Sequence, residues 1–282
     1  KEKELSLVYD FGGGTFDVCL IETTREGDIS QANRNSKPLA ASSQPVGGYY
    51  INRILAEELF RRNLSANPGR KDSKLETAID MYRKWRREPD FRLDAISADY
   101  RVFIKHFHRV VHEVEHLKLA LCAQIADWRL DAPLTFSGSV ALPANPYSTQ
   151  AQVINSKLPA TEFRQLFESK IWNPHLKPVI QQALARGRQE LGGAPISVVL
   201  LSGGSANIGW LRTLLNRDFS NELRDAPVLL EPDYQEVVAK GLAVECVRRF
   251  YSEGDFAAVT YNRLCLVLDP DNRGREIKPF MP

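Results

Sequence analysis

The chain has 282 residues, of which 43% are hydrophobic and 26% are charged, so wholesale disorder is excluded and two compact units are expected. Its 37 basic and 35 acidic residues leave a formal charge of +2, which argues against nucleic acid as the main partner. No apolar run approaches the ~20 residues that cross a bilayer, so a membrane partner is not expected.

The first elements have the alternation of β-strands. Residues 5–10 and 15–22 each alternate apolar and polar side chains, and three glycines lie between them. The sequence therefore predicts a strand, a glycine turn and a second strand. A polar stretch follows over residues 25–44 and leads to Gly47-Gly48.

Helical patterns dominate the middle of the chain. Helices are predicted over residues 52–62, from Ser73 to just before Pro89, and over 98–123. Residues 130–142 predict one or two strands with a turn at Ser137-Gly138.

A further helical region is predicted from Thr161, interrupted by Pro174 and Pro178 and ended at Gly187. The β-branched run 196–201 is typical of a strand covered on both faces. The last predicted elements are a helix over 208–219, a strand over 227–230 and a helix over 234–250. This order predicts an α/β layer domain whose two halves flank an inserted, mostly helical subdomain.

The first constellation with chemical potential is Asp10-Phe11-Gly12-Gly13-Gly14-Thr15-Phe16-Asp17. Three consecutive glycines can adopt backbone angles closed to other residues and turn their amides toward phosphate oxygens. Asp10, at the end of a strand, could hold a hydrated magnesium ion. A plain glycine-rich turn is the alternative interpretation. The Gly-Lys-Ser/Thr of a Walker-type phosphate loop is missing.

The second constellation is Gly203-Gly204-Ser205, directly after the apolar strand. Ligands of α/β sheets bind at the carboxyl ends of the strands, and paired glycines let a nucleotide lie against bare backbone. Alone, this signal is equally typical of an ordinary strand–helix turn.

The third constellation, His112-Glu113-Val114-Glu115-His116, fits the zinc-protease pattern HExxH, with His108 one turn earlier. Two histidines four residues apart could chelate zinc, with Glu113 as the base. No Gly-x-x-His follows, and we expect the histidine row to lie near solvent, away from the apolar stripe of its helix. The pattern is typical of a chance match in a charged helix.

Four isolated cysteines, Cys19, Cys122, Cys246 and Cys265, lie in apolar sequence without paired spacing. They indicate buried, reduced thiols and a cytoplasmic protein. The first residues run directly into a strand pattern without an initiator Met, which suggests a piece of a longer protein.

Residues 10–17, followed by Val-Cys-Leu-Ile, resemble the second phosphate motif of the 70-kDa heat-shock chaperones (DnaK type). Later landmarks follow in the family's order: Gly47-Gly48 with Asn52-Arg53, then Glu115-His116-Leu117-Lys118, then 200–211, then Pro232-Asp233 and 239–243. The resemblance covers residues 5 to about 250. It implies the second lobe of an actin-like ATPase (ribonuclease H-like) domain, with the first lobe upstream.

The resemblance also implies a division of the chain. Residues 1–46 and 190–250 would form the inner subdomain, residues 47–189 an inserted helix-rich α+β outer subdomain, and residues 251–282 a tail or linker.

It further implies residue roles and partners. Asp10 would orient magnesium-bound water and, with Thr15, belong to the catalytic set; Gly12, Gly13, Gly14 and Thr15 would hold phosphates, and Asp17 would help bind a monovalent ion. Glu115 and Lys118 would face the ribose, with Gly203, Gly204 and Ser205 beside the nucleoside. The cofactors would be ATP or ADP and Mg²⁺. The partners would be the first lobe, a J-domain co-chaperone, a nucleotide-exchange factor and, through another domain, unfolded clients.

The chain departs from the family on the side that would face adenine. Leu119 and Cys122 replace an arginine and a serine, and Ala206-Asn207 replaces the polar pair after the serine. Tyr49 and Tyr50 stand where the family has acidic residues. Stacking and cation–π contributions to adenine binding would therefore be lost.

The leading hypothesis is the ATP-binding half of a divergent DnaK-type chaperone, which on its own should not hydrolyse ATP. The main alternative is a non-catalytic, actin-like scaffold that binds nucleotide weakly. A zinc protease, an actin-like filament former and a sugar kinase are further alternatives.

Overall fold

The computed structural model describes ten stretches of the chain. They are residues 3–24, 36–65, 73–88, 90–124, 135–142, 152–191, 195–230, 236–251, 265–267 and 274–276. Most of the predicted tail or linker, 251–282, lies outside the described residues. The proposed subdomain boundaries stay a prediction.

Nine strands occur in these stretches. They are β1 (Lys3–Phe11), β2 (Phe16–Thr24), β3 (Lys37–Gln44), β4 (Thr135–Leu142), β5 (Gln152–Pro159), β6 (Val198–Ser202), β7 (Val228–Leu230), β8 (Cys265–Val267) and β9 (Gly274–Glu276).

Eight α-helices accompany them in the described part of the chain. They are α1 (Gly48–Ser65), α2 (Ser73–Arg87), α3 (Ala98–Gln124), α4 (Ala160–Phe167), α5 (Lys177–Leu191), α6 (Trp210–Asp218), α7 (Ser220–Leu223) and α8 (Val237–Tyr251). A π-helical segment, Glu168–Leu176, joins α4 to α5, and 3-10 turns cover Leu93–Ala95 and Gly204–Asn207.

Five of the strands form a mixed sheet in the order β3-β2-β1-β6-β7. β2 runs antiparallel to β1 and β3, whereas β6 is parallel to both β1 and β7. The carboxyl ends of β1 and β6 therefore meet at one edge, where Asp10 pairs with Ser202. The chain is thus a mixed α/β protein, as predicted.

One face of the sheet is apolar because the strands alternate. Leu7, Tyr9 and Phe11 of β1 are fully buried. In β2, Phe16 is fully buried and Val18 nearly so. The rings of Tyr9 and Phe16 lie 4.5 Å apart between centroids. The opposite face of β1 and β2 is half-buried and ends in Asp10 and Asp17, which are directly opposite each other.

Helices α1 and α2 pack against α3. Phe60 of α1 contacts Phe103 and Phe107 of α3, and Tyr82 of α2 packs edge-on against Phe107, with 4.6 Å between the ring centroids. These aromatic side chains belong to the same buried cluster as the sheet residues, so α1 and α3 are held at fixed positions relative to the ends of the strands.

Most of the predicted elements are confirmed, with shifts at their ends. Residues 25–44 were predicted as a polar stretch between elements. This is wrong over Lys37–Gln44, which forms the edge strand β3, and residues 25–35 lie outside the described residues. The turn predicted at Ser137-Gly138 is also wrong, since both residues lie inside β4, which pairs with the unpredicted β5. The run 196–201, predicted as a strand covered on both faces, contains most of β6. Val199 and Leu201 on one face are buried, whereas Val198 and Leu200 on the other are only half-buried.

The helical region after Thr161 is more continuous than predicted. The π-helical segment carries the chain past Pro174, and α5 follows it without a break, with Pro178 at its second position. Gly187 does not end α5. A Cβ at this position would collide with Leu20 of β2, so glycine permits the close packing of α5 on the sheet.

Two further sequence expectations have outcomes in the described residues. No helix among them is long and apolar enough to cross a membrane. The expectation of buried thiols is wrong for Cys246, which is exposed on α8, and Cys19 is only half-buried. The side chains of Cys122 and Cys265 lie outside the described residues.

A polar network fixes the π-helical segment to α6. The Asp218 side chain, which is 9% exposed, accepts a 2.8 Å hydrogen bond from the Trp172 indole and a 2.7 Å bond from Arg217, and it lies 3.2 Å from the Lys177 ammonium. The pKa of Asp218 lies well below its ordinary range, chiefly because of the hydrogen bonds from Arg217. Burial opposes this shift, and the bonds from Trp172 and Lys177 add to it.

We predict that Asp218→Asn lowers the free energy of unfolding by about 2 kcal/mol at pH 7, because charge-assisted bonds to a nearly buried carboxylate are lost. The folded pKa is below the unfolded one, so this stabilisation is present above the unfolded pKa of about 4 and is lost as the pH falls. Denaturant titrations at pH 7 and at lower pH measure both effects. Asp225→Asn, at an exposed position, is the matched control; equal losses in the two variants would contradict the prediction.

Candidate functional site

A cleft of about 890 Å³ opens at the edge where β1 and β6 end. Its floor is formed by the residues that follow these strands, and α1 and α3 supply its wall. Most of the residues selected from the sequence line it, although they are far apart in the chain: Asp10, Gly12-Gly13, Glu115, Lys118 and Gly203-Gly204-Ser205. Gly14, Thr15 and Asp17 are not in the lining and lie beside the cleft.

The glycine loop is fixed through its carbonyl groups. The Gly48 amide donates to the Gly12 carbonyl at 3.0 Å, and the Tyr49 amide donates to the Gly13 carbonyl at 2.9 Å. The Ser205 hydroxyl donates a third bond, of 3.1 Å, to the Gly12 carbonyl. The first amides of α1 are thereby satisfied by the loop, as helix N-termini require.

The backbone angles of the loop correct one sequence expectation. Gly12, Gly13 and Gly14 all lie outside the left-handed region, so the fold does not need glycine there for its conformational freedom. A Cβ at Gly13 or Gly14 would have no atom of the described residues within 4 Å. The loop backbone is therefore bare and exposed toward open space, which leaves room for a ligand to approach it.

Two glycines elsewhere in the cleft are required by the fold itself. Gly203 has φ of +86°, and its Cβ would lie 2.5 Å from the Phe11 carbonyl and 2.6 Å from Asp10 Oδ1. A Cβ at Gly47 would lie 2.5 Å from the backbone of Gly13. These contacts bring the turn after β6 and the start of α1 against the glycine loop.

Carboxylates occupy the edge of the sheet beside the loop. Partial burial, and then the charge of Asp17, raise the pKa of the Asp10 carboxyl. Asp17 is the register partner of Asp10 across the β1–β2 ladder, where like charges repel. Thr15 donates a 2.8 Å hydrogen bond to Asp17, so its hydroxyl is held at this carboxylate.

The α3 wall carries an ion pair aimed at the start of α1. Lys118, although a lysine, is 7% exposed; its ammonium donates to Glu115 at 2.9 Å and lies 3.5 Å from the Gly48 carbonyl. Asn52 donates a second bond to Glu115. Burial alone would raise the pKa of Glu115, but the bonds from Lys118 and Asn52 outweigh it and lower the pKa. Glu115 is therefore an ionised acceptor at neutral pH.

Several residues of the cleft were not selected from the sequence. Asn52, 4% exposed, has a side-chain oxygen with no hydrogen-bond partner among the described residues. Ser202 and Ile208 also line the cleft, as do Tyr49 and His112, which were singled out from the sequence for other reasons. The Gly47-Gly48 pair followed by Asn52 on one helix face was the available signal for Asn52, but its depth depends on the packing of α1 against α3.

The side expected to face adenine is apolar where it is described. Leu119 is 53% exposed and lines the cleft together with Ile208 and Val238, and Asn207 is the polar exception. Cys122 has a side chain outside the described residues. The departures from the family pattern at Leu119 and Asn207 therefore fall in the cleft itself.

The HExxH segment lies on α3, where Glu113 and His112 contact side chains outside the zinc-binding pattern. Glu113, the would-be base, pairs with Arg109 at 2.9 Å. His112 lies 3.3 Å from His108, between the two Nε2 atoms, rather than pairing with His116. His108 is half-buried against Tyr49 and Tyr82, so the expectation that the whole row faces solvent is wrong for this residue. The described residues contain no cluster of three or more side chains suited to a metal ion.

No known protein-family profile matches the chain, and no curated protein matches it in sequence. Its function is therefore proposed from the residues of the cleft and their geometry.

The contrast between the two kinds of glycine gives a testable prediction. Gly203→Ala should lower the free energy of unfolding by about 2 kcal/mol or more, because it forces a left-handed φ and a clash with the Phe11 backbone. Gly13→Ala should change it by less than about 1 kcal/mol, because its Cβ meets open space. Thermal or denaturant unfolding of the two variants measures this difference. Comparable destabilisation by both would show that the loop glycines serve the fold.

Proposed function

We propose that the chain is the ATP-binding half of a divergent DnaK-type chaperone ATPase domain, with the phosphates of Mg-ATP against the glycine loop. The observation that carries this proposal is the convergence of the loop, the Glu115–Lys118 pair and the Gly203-Gly204-Ser205 turn on one cleft. The mixed α/β sheet is compatible with an actin-like lobe, and the cleft lies at the carboxyl ends of parallel strands, where such sheets bind ligands.

Phosphate binding would fall to the amides of Gly13 and Gly14 rather than to a helix N-terminus, because the Gly12 amide donates to the Thr15 carbonyl at 3.0 Å. The first amides of α1 donate to the carbonyls of Gly12 and Gly13. They are therefore not available as hydrogen-bond donors to an anion. The same bonds hold the loop by its acceptors and leave the exposed backbone of Gly13 and Gly14 facing open space. Consecutive amides in a bare loop form a concavity suited to phosphate oxygens.

The carboxylates at the sheet edge fit a hydrated magnesium ion. Asp10 and Asp17 are opposed like charges, and the raised pKa of Asp10 reflects burial together with this repulsion. Magnesium binds through one or two carboxylates and completes its shell with waters and phosphate oxygens, so Asp10 in the cleft can hold it, while Asp17, beside the cleft, would serve the monovalent ion. When bound, the ion would neutralise phosphate charge and orient water. Asp10 would hold that water, and Thr15 would keep Asp17 in position.

The α3 wall suits the hydroxyl groups of a ribose. Glu115 is an ionised acceptor, and the unpartnered oxygen of Asn52, on the adjoining α1, is a second, buried acceptor beside it. A ligand that donates two neighbouring hydroxyls would satisfy both. Lys118 fixes the orientation of Glu115 and is itself too enclosed to reach far into the cleft.

Base recognition would be weak in this cleft. Leu119, Ile208 and Val238 offer apolar surface but no hydrogen bond that would distinguish one base edge from another. We therefore propose that the ribose and phosphates supply most of the affinity. The cytoplasmic location, the first lobe, the J-domain co-chaperone, the exchange factor and the clients remain part of the same proposal.

Calorimetric titration with Mg-ADP tests the proposal. Wild type should bind, and Gly13→Val should weaken binding by roughly tenfold or more by filling the space over the loop while leaving the unfolding temperature nearly unchanged. Asp10→Asn should reduce the dependence of affinity on magnesium.

Mg-GDP should bind within about tenfold of Mg-ADP because few polar groups face the base.

Asp225→Asn, at an exposed position that does not line the cleft, is the control for charge removal. Unchanged affinity in both Gly13→Val and Asp10→Asn would contradict the proposed phosphate site.

The second candidate is a non-catalytic actin-like scaffold. The observation that favours it is the closed ion pair of Lys118 with Glu115, together with the apolar wall at Leu119. A folded wild-type chain that gives no heat with Mg-ADP or Mg-ATP, either alone or joined to an upstream lobe, would support the scaffold.

A further inference from the structure

A second cavity, of about 320 Å³, lies on the opposite face of α1 from the nucleotide cleft. Gly48, Tyr49 and Asn52 of α1 face the cleft, whereas Tyr50, Arg53 and Glu57 face this cavity, as the helical period requires. Arg83 of α2 and Lys170 of the π-helical segment complete its charged lining.

Arg53 is the unusual feature of the cavity. Its side chain is only 7% exposed, and its guanidinium carbon lies 4.2 Å from the centroid of the Tyr50 ring. It forms an ion pair with Glu57, with 3.5 Å between Nε and Oε1, but the buried Nε has no hydrogen-bond partner among the described residues. A buried guanidinium nitrogen without a hydrogen bond is costly, and in folded proteins such a group usually has a water or an ion as its partner.

The other charges of the lining are largely committed to each other. Glu57, with 2% of its side chain exposed, binds Arg83, which also donates to Asp80 at 2.7 Å. Glu58 is bound by Arg62, at 2.9 Å. Arg61 pairs with Glu76 at 3.1 Å and also lies 3.8 Å from Glu57.

Lys170 is exposed and has no ion-pair partner in the described part of the chain. Lys170 therefore has no opposite charge beside it there, and Arg53 shares Glu57 with Arg61 and Arg83. Glu57 would repel an anion, but three guanidinium groups surround this carboxylate, so the field in the cavity is positive on balance.

We propose that this cavity is a binding site for a small organic anion, whose carboxylate or phosphate group pairs with Arg53 and Lys170. A planar guanidinium stacked on an aromatic ring is suited to hold an oxyanion through two parallel hydrogen bonds. Ile54 and Leu166 line the same cavity and would contact a short apolar body on the ligand. The volume is at the lower end of the range for small-molecule sites, which limits the ligand to a compact metabolite-sized anion.

This site is separate from the proposed nucleotide cleft and does not depend on it. The two sites share only α1. Ligand binding at one can be measured while the other is altered, so failure of the nucleotide proposal leaves this one intact.

Calorimetric titration of the full chain with inorganic phosphate and, separately, with succinate at constant ionic strength tests the proposal. Saturable binding of at least one probe is expected, and the stronger probe identifies the preferred oxyanion. Lys170→Ala should weaken it roughly fivefold, and Arg53→Gln by more than about tenfold. Lys105→Ala, which removes an exposed lysine from α3, is the matched control and should leave binding unchanged. Gly13→Val, which obstructs only the other cleft, should leave succinate binding unchanged and should remove at most a separate phosphate site at the glycine loop.

Lys170 is exposed, so its variant tests the site even if Arg53→Gln does not fold. Three results would overturn the proposal: no saturable binding of either probe, equal weakening by Lys170→Ala and Lys105→Ala, or binding lost in Gly13→Val but kept in Lys170→Ala. The second result would indicate general charge attraction, and the third would place the anion in the nucleotide cleft.

Discussion

The hydrogen bonds between the glycine-loop carbonyls and the start of α1 are the interaction on which the site depends. They join the end of β1 to the helix that carries Asn52, and Ser205 extends the same connection to the turn after β6. Three distant parts of the chain are thereby fixed around one cleft. The close approach is possible only because Gly47 and Gly203 have no side chain.

This arrangement separates the two roles of glycine in the cleft. At Gly203 and Gly47 the protein's own backbone excludes a side chain, whereas at Gly13 and Gly14 nothing in the described protein does. A position that is open in the fold and still occupied by glycine suggests a ligand that needs the space. The carboxylates beside the loop and the acceptors Asn52 of α1 and Glu115 of α3 supply the complementary polar groups.

The sequence predicted local elements well because their signals are local. Alternation predicted β1 and β2, and the three consecutive helices α1, α2 and α3 follow from apolar periodicity and capping. The predictions failed where tertiary contacts determine the structure. The polar strand β3 was missed because it lies at the edge of the sheet, and the end of α5 was misplaced because Gly187 serves its close packing on Leu20. The motifs at Asp10 and Gly203 were each predicted to follow a strand, but the pairing of those strands, the burial of Asn52 and the charged cavity around Arg53 arise only when the elements pack.

The most direct test of the loop's role is amide chemical-shift mapping of the full chain during titration with Mg-ADP. If the loop binds phosphate through its backbone, the amides of Gly13 and Gly14 should shift most, with a second group of shifts at Asn52 and Lys118. The amide of Gly187, beneath the opposite part of the sheet, should remain unchanged. Saturable binding that leaves Gly13 and Gly14 unperturbed would contradict the account.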